Sequence, residues 1–160
     1  MATMDGFEST VERVWSRLGL GAPRPSEPGR IRLRVESVNI DLSDTGRGSM
    51  LIDGSAGRLA PEGPARAAQI RRILETNAGL LVDNDAGVFL ARAPDGREIL
   101  AVRSVYRYRT GNLDRLIKKI EDSVRVVEFY AAEFRSTGPQ ASRASSQAAP
   151  APESVMIFRP

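Results

Sequence analysis

Near the start of the chain, Met4, Phe7, Val11, Val14, Trp15 and Leu18 recur at steps of three and four, with Glu8, Ser9, Glu12, Arg13, Ser16 and Arg17 between them. That spacing predicts an amphipathic helix, which Gly19 and Gly21 can end. Pro23, Pro25 and Pro28 follow, and proline at this density predicts a connector without regular structure. From Arg30 the period becomes two: Ile31, Leu33 and Val35 alternate with Arg32, Arg34 and Glu36. The phase then slips, because Val38, Ile40 and Leu42 sit at even positions. One strand cannot keep both sets on one face, so a tight turn or bulge belongs at Glu36-Ser37. A polar turn at Asp44-Thr45-Gly46-Arg47 leads to a third short strand through Met50, Leu51 and Ile52, completing an antiparallel meander.

Pro61 and Pro64 bracket the entry to a second helix with Ala67, Ile70, Ile73, Leu74 and Asn77 on its apolar side. Those aliphatics can cover the sheet or meet their own copies across a two-fold axis. Gly87 to Ala91 and Glu98 to Val105 flank Pro94-Asp95-Gly96 as a hairpin. Asn112 is an N-cap for a last helix. There Leu113, Leu116, Ile117, Ile120, Val124, Val127, Ala131 and Phe134 keep helical spacing without a break. Running to about Arg135, it spans roughly 36 Å. Residues 136–160 are dominated by Ala, Ser, Pro and Gln and are expected to be a disordered tail. Its end carries an apolar tetrapeptide, Val155-Met156-Ile157-Phe158, a frayed end or a strand that docks on a sheet edge. The expected fold is an α+β, two-layer α-β-β-β-α-β-β-α domain over residues 1–135 with an antiparallel sheet.

Composition narrows the chemistry. Among 160 residues there is no cysteine and no histidine, which removes disulfides, Cys/His zinc sites and His-based relays. The Asp83-Asn84-Asp85 cluster lacks the later bidentate Glu of a hard-cation loop and reads as a turn. Gly46-Arg47-Gly48 and Gly54-Ser55-Ala56-Gly57 lack phosphate-loop spacing and read as turns as well. No metal, cofactor or catalytic group is expected. No apolar run resembles a leader or a membrane span, and the expected compartment is the cytoplasm. Lys and Arg number 23 against 20 Asp and Glu, a net charge of +3, weak support for a nucleic-acid partner. That alternative rests on Arg103-Ser104-Val105-Tyr106-Arg107-Tyr108-Arg109, where rings and cations alternate, and on the row Arg30, Arg32 and Arg34. The competing account is a solvated sheet face whose arginines pair with carboxylates. Trp15 is core packing or an anchor in a protein-binding groove.

Over about residues 5–135 the chain resembles the CesT/Tir family of class I type III secretion chaperones. The resemblance is carried by Arg17-Leu18-Gly19-Leu20 at the first helix end, the meander into Met50-Leu51-Ile52, and Ile73-Leu74-Glu75-Thr76-Asn77. Gly87-Val88-Phe89-Leu90 and the long closing helix with Val127-Glu128-Phe129-Tyr130-Ala131 complete it. It implies a bacterial cytoplasmic homodimer without enzymatic activity or cofactor. Such a protein binds a secreted effector near the effector's N-terminus, in extended form, and delivers it to the export ATPase. It also implies a dimer interface through Ile70, Ile73, Leu74, Val88 and Leu90, and effector-binding grooves around Phe7, Val11, Trp15, Leu33 and Val35. Many relatives are acidic, whereas this chain is slightly basic. Arginine-lined grooves would favour acidic effector segments or several different effectors.

Overall fold

The computed structural model describes residues 6–136, with backbone only at 81–83 and 136. Met4, the tail from 137 onward and Val155–Phe158 lie outside the described residues. Three helices and six strands follow one another as α1 (Phe7–Arg17), β1 (Pro25–Glu27), β2 (Arg30–Val35), β3 (Val38–Asp44), β4 (Met50–Arg58), α2 (Pro64–Asp83), β5 (Gly87–Arg92), β6 (Glu98–Tyr106) and α3 (Leu113–Ser136). The strands form one antiparallel sheet in the order β1-β2-β3-β4-β6-β5. This is the expected α+β architecture with one strand added. β1 takes part of the proline-rich connector, which had been expected to lack regular structure. A three-residue edge strand that begins at Pro25 tolerates the missing donor, because an edge has one side without a ladder.

The phase slip resolves as a hairpin. Val35 pairs with Val38, Leu33 with Ile40 and Ile31 with Leu42, so a turn of Glu36 and Ser37 folds both apolar sets onto one face. Glu36 adopts φ +51°, the positive value that tight hairpin turns require at their first position.

β4 is longer than its apolar trio suggests. Gly54-Ser55-Ala56-Gly57 belongs to the strand, with a register shift between Ser55 and Gly57 against β6. The expected turn is therefore a strand end, and its glycines answer to packing. A β-carbon on Gly54 would lie 2.6 Å from Val127 Cγ2, and one on Gly57 2.8 Å from the Phe134 ring. Glycine here lets α3 settle directly on β4.

α3 supplies Leu116, Ile120, Val124, Val127 and Tyr130 to the core, against Ile40, Leu42, Met50, Ile52, Leu100 and Val102 of the sheet. At its start Asn112 Oδ1 accepts the Arg115 N–H at 2.8 Å, as an N-cap does. Within the interface Ser123 donates to the Lys119 carbonyl at 2.8 Å, which leaves Ser104 to donate to Ser123 at 3.0 Å. α1 packs beside α3 and buries Phe7, Val11, Val14 and Trp15.

Gly54→Ala is expected to lower stability by about 1–3 kcal/mol through overpacking, measured by urea unfolding. Adding Val127→Ala should make the double variant more stable than the sum of the single losses predicts, because it empties the space the new methyl needs.

Candidate functional site

Among the described residues, two apolar surfaces and one charged face stand out once the core is closed. The first surface is a groove of about 400 Å³ between the end of α1, the end of β2 and one side of α3. Leu18 and Leu20 form one wall, Leu33 and Val35 the floor, and Ile117, Ile120 and Val124 the other wall, with Arg34, Glu121 and Arg125 at the rim. The α1 terminus builds the first wall. Gly19 at φ +67° reverses the chain, and its N–H donates to the Ser16 carbonyl at 3.2 Å while Leu20 N–H reaches back to Trp15 at 2.9 Å. This pair of bonds is a Schellman stop, and it leaves Leu18 and Leu20 43% and 39% exposed.

Of the residues assigned to effector binding, Leu33 and Val35 line this groove, Leu33 buried and Val35 half-buried. Phe7, Val11 and Trp15 are buried in the core, with Trp15 only 6% exposed. Sequence reasoning missed Leu18, Leu20, Ile117, Ile120 and Val124 as groove residues. Their signal was the apolar pair placed around the helix stop, together with an α3 stripe too wide for the sheet alone.

The second surface joins α2 and β5. α2 is a 20-residue helix, yet among its described side chains only Ile73 is buried. Leu74 is 63% exposed and Leu90 44% exposed, while Ile70 and Val88 are half-buried. Polar ties hold α2 in place. Tyr130 Oη donates to the Ile73 carbonyl at 3.4 Å, Gln69 Oε1 accepts the Ala60 N–H at 2.9 Å, Arg72 pairs with Glu133 at 2.7 Å, and Arg66 pairs with Glu98. Ile73 therefore belongs to the chain's own packing, and Leu74 and Leu90 face outward.

The outer face of the sheet carries charge in rows. Arg32, Asp41, Asp53 and Arg103 stand opposite one another across β2, β3, β4 and β6. Asp41 accepts two bonds from Arg32, at 2.7 and 3.0 Å, and one from Arg30 at 3.0 Å. These bonds, those from Arg32 foremost, hold its carboxyl below the usual carboxylate range against the opposing effect of burial. Arg103 donates to both oxygens of Asp53, at 2.6 and 2.9 Å, and its guanidinium lies 4.7 Å from the Phe89 ring centre. The arginine rows are thus largely matched by carboxylates.

The tyrosines of the Arg/Tyr segment offer no stacking faces. Tyr106 and Tyr108 are 3% and 8% exposed. Tyr106 Oη donates to the Asn112 carbonyl at 2.7 Å and Tyr108 Oη to Asp44 at 3.0 Å. Burial, with the Asp44 contact adding to it, pushes the Tyr108 phenol up. The ring–cation alternation that suggested nucleic-acid binding arises because the rings point into the core and the arginines out. In the loop after α2, Asn84 donates to the Leu80 carbonyl at 3.1 Å and Asp85 pairs with Lys119. Among the described residues no group of His, Cys, Asp and Glu side chains is placed to hold a metal ion.

No protein-family model matches the sequence, and no curated protein matches it. Solved structures do match its fold. A chain of the HopA1–SchA chaperone–effector complex aligns with TM-score 0.60 at 12% identity, over 79% of this chain and 93% of that one. A chain of the complex between the Yersinia pestis type III secretion chaperone SycH and a stable fragment of YscM2 aligns with TM-score 0.56 at 17% identity, over 76% and 97%. YbjN from E. coli, a candidate transcription regulator, aligns with TM-score 0.58 at 14% identity, over 84% and 94%. The chain therefore has the fold seen in type III secretion chaperone complexes, a fold that YbjN shares.

The Asp41 cluster has a pH signature. Its folded pKa is lowered, so its contribution is present above the unfolded carboxylate value near about 4 and is lost as pH falls through the folded value. Asp41→Asn should cost about 1 kcal/mol near neutral pH. In urea unfolding across pH, the gap from wild type should narrow below about pH 4.

Proposed function

We propose that this chain is a type III secretion chaperone that binds the N-terminal region of one or more secreted effectors in extended form. It keeps the effector soluble and delivers it to the export apparatus, including the export ATPase. The observation that carries the proposal is the groove of exposed Leu18 and Leu20 against Val35, Ile117 and Val124, on a fold also found in chaperone–effector complexes. Exposed apolar side chains concentrated in one groove mark a surface that expects a partner. An extended partner can place alternate side chains in such a groove while its backbone finds polar partners along a strand. Holding apolar effector segments there keeps them from associating with one another. The chemistry requires no nucleotide and no proton relay, which agrees with a chain lacking His and Cys.

The working unit in this proposal is a homodimer joined through α2 and β5. Leu74 and Leu90 carry the argument, since each leaves a large aliphatic side chain in water. Fully burying a leucine is worth about 1.5–3 kcal/mol, so two per protomer across a two-fold axis make a substantial contribution. The cytoplasm is the compartment in which such a protein meets its effectors before export.

Co-expression in a strain carrying the secretion apparatus, followed by pull-down and sizing, tests the binding proposal. A secreted protein held through its N-terminal region on a two-chain complex is expected, and Leu20→Glu should abolish its capture while leaving the fold intact. A monomer that retains nucleic acid and no protein would overturn it. For the interface, Leu74→Asp combined with Leu90→Asp should give a folded monomer by light scattering. Ile73→Asp would be expected to unfold the protomer as well, because it buries an unpaired carboxylate against the chain's own core.

A further inference from the structure

A wide polar groove of about 580 Å³ lies where β6 runs out into the turn before α3. By the strand register it sits at the opposite end of the strands from the apolar groove. Four cations line it, Arg103, Arg107, Arg115 and Lys119, against one carboxylate, Asp85. Arg103 is engaged by Asp53 and Lys119 by Asp85. Arg107 and Arg115 are exposed and form no ion pair among the described residues.

The backbone beside them is open on one side. β5 begins opposite Arg103, whereas β4 continues to pair with β6 as far as Tyr106. Beyond Arg103, the β6 ladder therefore has a neighbour in β4 and none in β5. On the outer face, Arg103, Val105 and Arg107 follow one another at alternate positions, and Val105 is 49% exposed. Alternate residues of a strand are about 6.8 Å apart on the same face.

We propose that this groove binds an extended acidic segment of a partner protein, laid along β6 beyond the start of β5. Its carboxylates meet Arg107 and Arg115, and an aliphatic side chain covers Val105. Val105 and Arg107, two residues apart, select an aliphatic and an acidic side chain at every second residue, and Arg115 adds a second cation from α3. Guanidinium groups favour carboxylates through paired N–H donors. A nucleic-acid strand suits the site less well, because the Tyr106 and Tyr108 rings are buried and Asp85 stands among the cations. The proposal is independent of effector capture: it uses neither Leu18, Leu20 nor the α2 surface, so either can fail without the other.

Fluorescence anisotropy on the full chain tests it, with a labelled peptide of roughly ten residues repeating Glu-Ser-Val-Ser, long enough to span about 30 Å when extended. The same peptide with Gln for Glu and a labelled oligothymidine of equal length are the comparators. The Glu peptide should bind, more weakly as salt rises, and the Gln peptide should not. Arg107→Glu with Arg115→Glu should weaken binding about tenfold or more with an unchanged melting temperature, since both side chains are exposed. Absence of Glu-peptide binding, equal binding by the double variant, or tighter binding of oligothymidine that the variant abolishes would each overturn the proposal.

Discussion

The approach of α3 to β4 sets the layout of everything around it. Gly54 gives Val127 the room a methyl group would occupy, and Gly57 does the same for Phe134. The helix therefore lies tight along the middle of the sheet, over β3, β4 and β6. A six-stranded sheet is about 24 Å across at about 4.8 Å per strand, while a helix with its side chains is about 10 Å wide. One central helix cannot cover that width. α1 closes the flank beside α3 and the start of β2, and α2 lies loosely beside β5. Both exposed apolar surfaces follow from this geometry. Leu18 and Leu20 project where α1 ends, and Leu74 and Leu90 stand where the cover beyond β6 runs thin.

Much of this was legible along the chain because the apolar residues keep strict periods. The β2–β3 hairpin followed from a phase slip that only a turn can reconcile, and α3 from an unbroken run capped by Asn112. β1 was hidden because proline speaks against a strand in general and only weakly against an edge. The second half of β4 was hidden because glycine in a turn and glycine under a helix look alike until the helix is placed. The groove was half legible: Leu33 and Val35 line it, whereas Phe7, Val11 and Trp15 lie in the core. A helical stripe tells which residues leave water, and it does not tell which of them remain at the edge of the contact.

Charge on the outer sheet face shows why a tally of arginines is a poor guide to partners. Arg32 and Arg103 are matched across the strands by Asp41 and Asp53, so the rows that look most basic are close to neutral. The imbalance lies instead where β6 leaves the sheet. A net charge of +3 spread evenly would direct nothing, and the same charge gathered beside an open strand edge makes a local field.

The slight attachment of α2 to the rest of the chain has a consequence for how the molecule behaves over time. Most of a protein helix's stability comes from tertiary packing, and among the described side chains of this 20-residue helix one buried aliphatic, half-buried Leu80 and a few polar ties supply it. Its opening free energy is therefore a small part of the whole, and the segment can exchange its amides without the sheet letting go. In the proposed dimer, association adds to that energy by mass action. The order of α2 then becomes a gauge of assembly: dilute or unpaired copies present an openable segment to proteases, and paired copies conceal it.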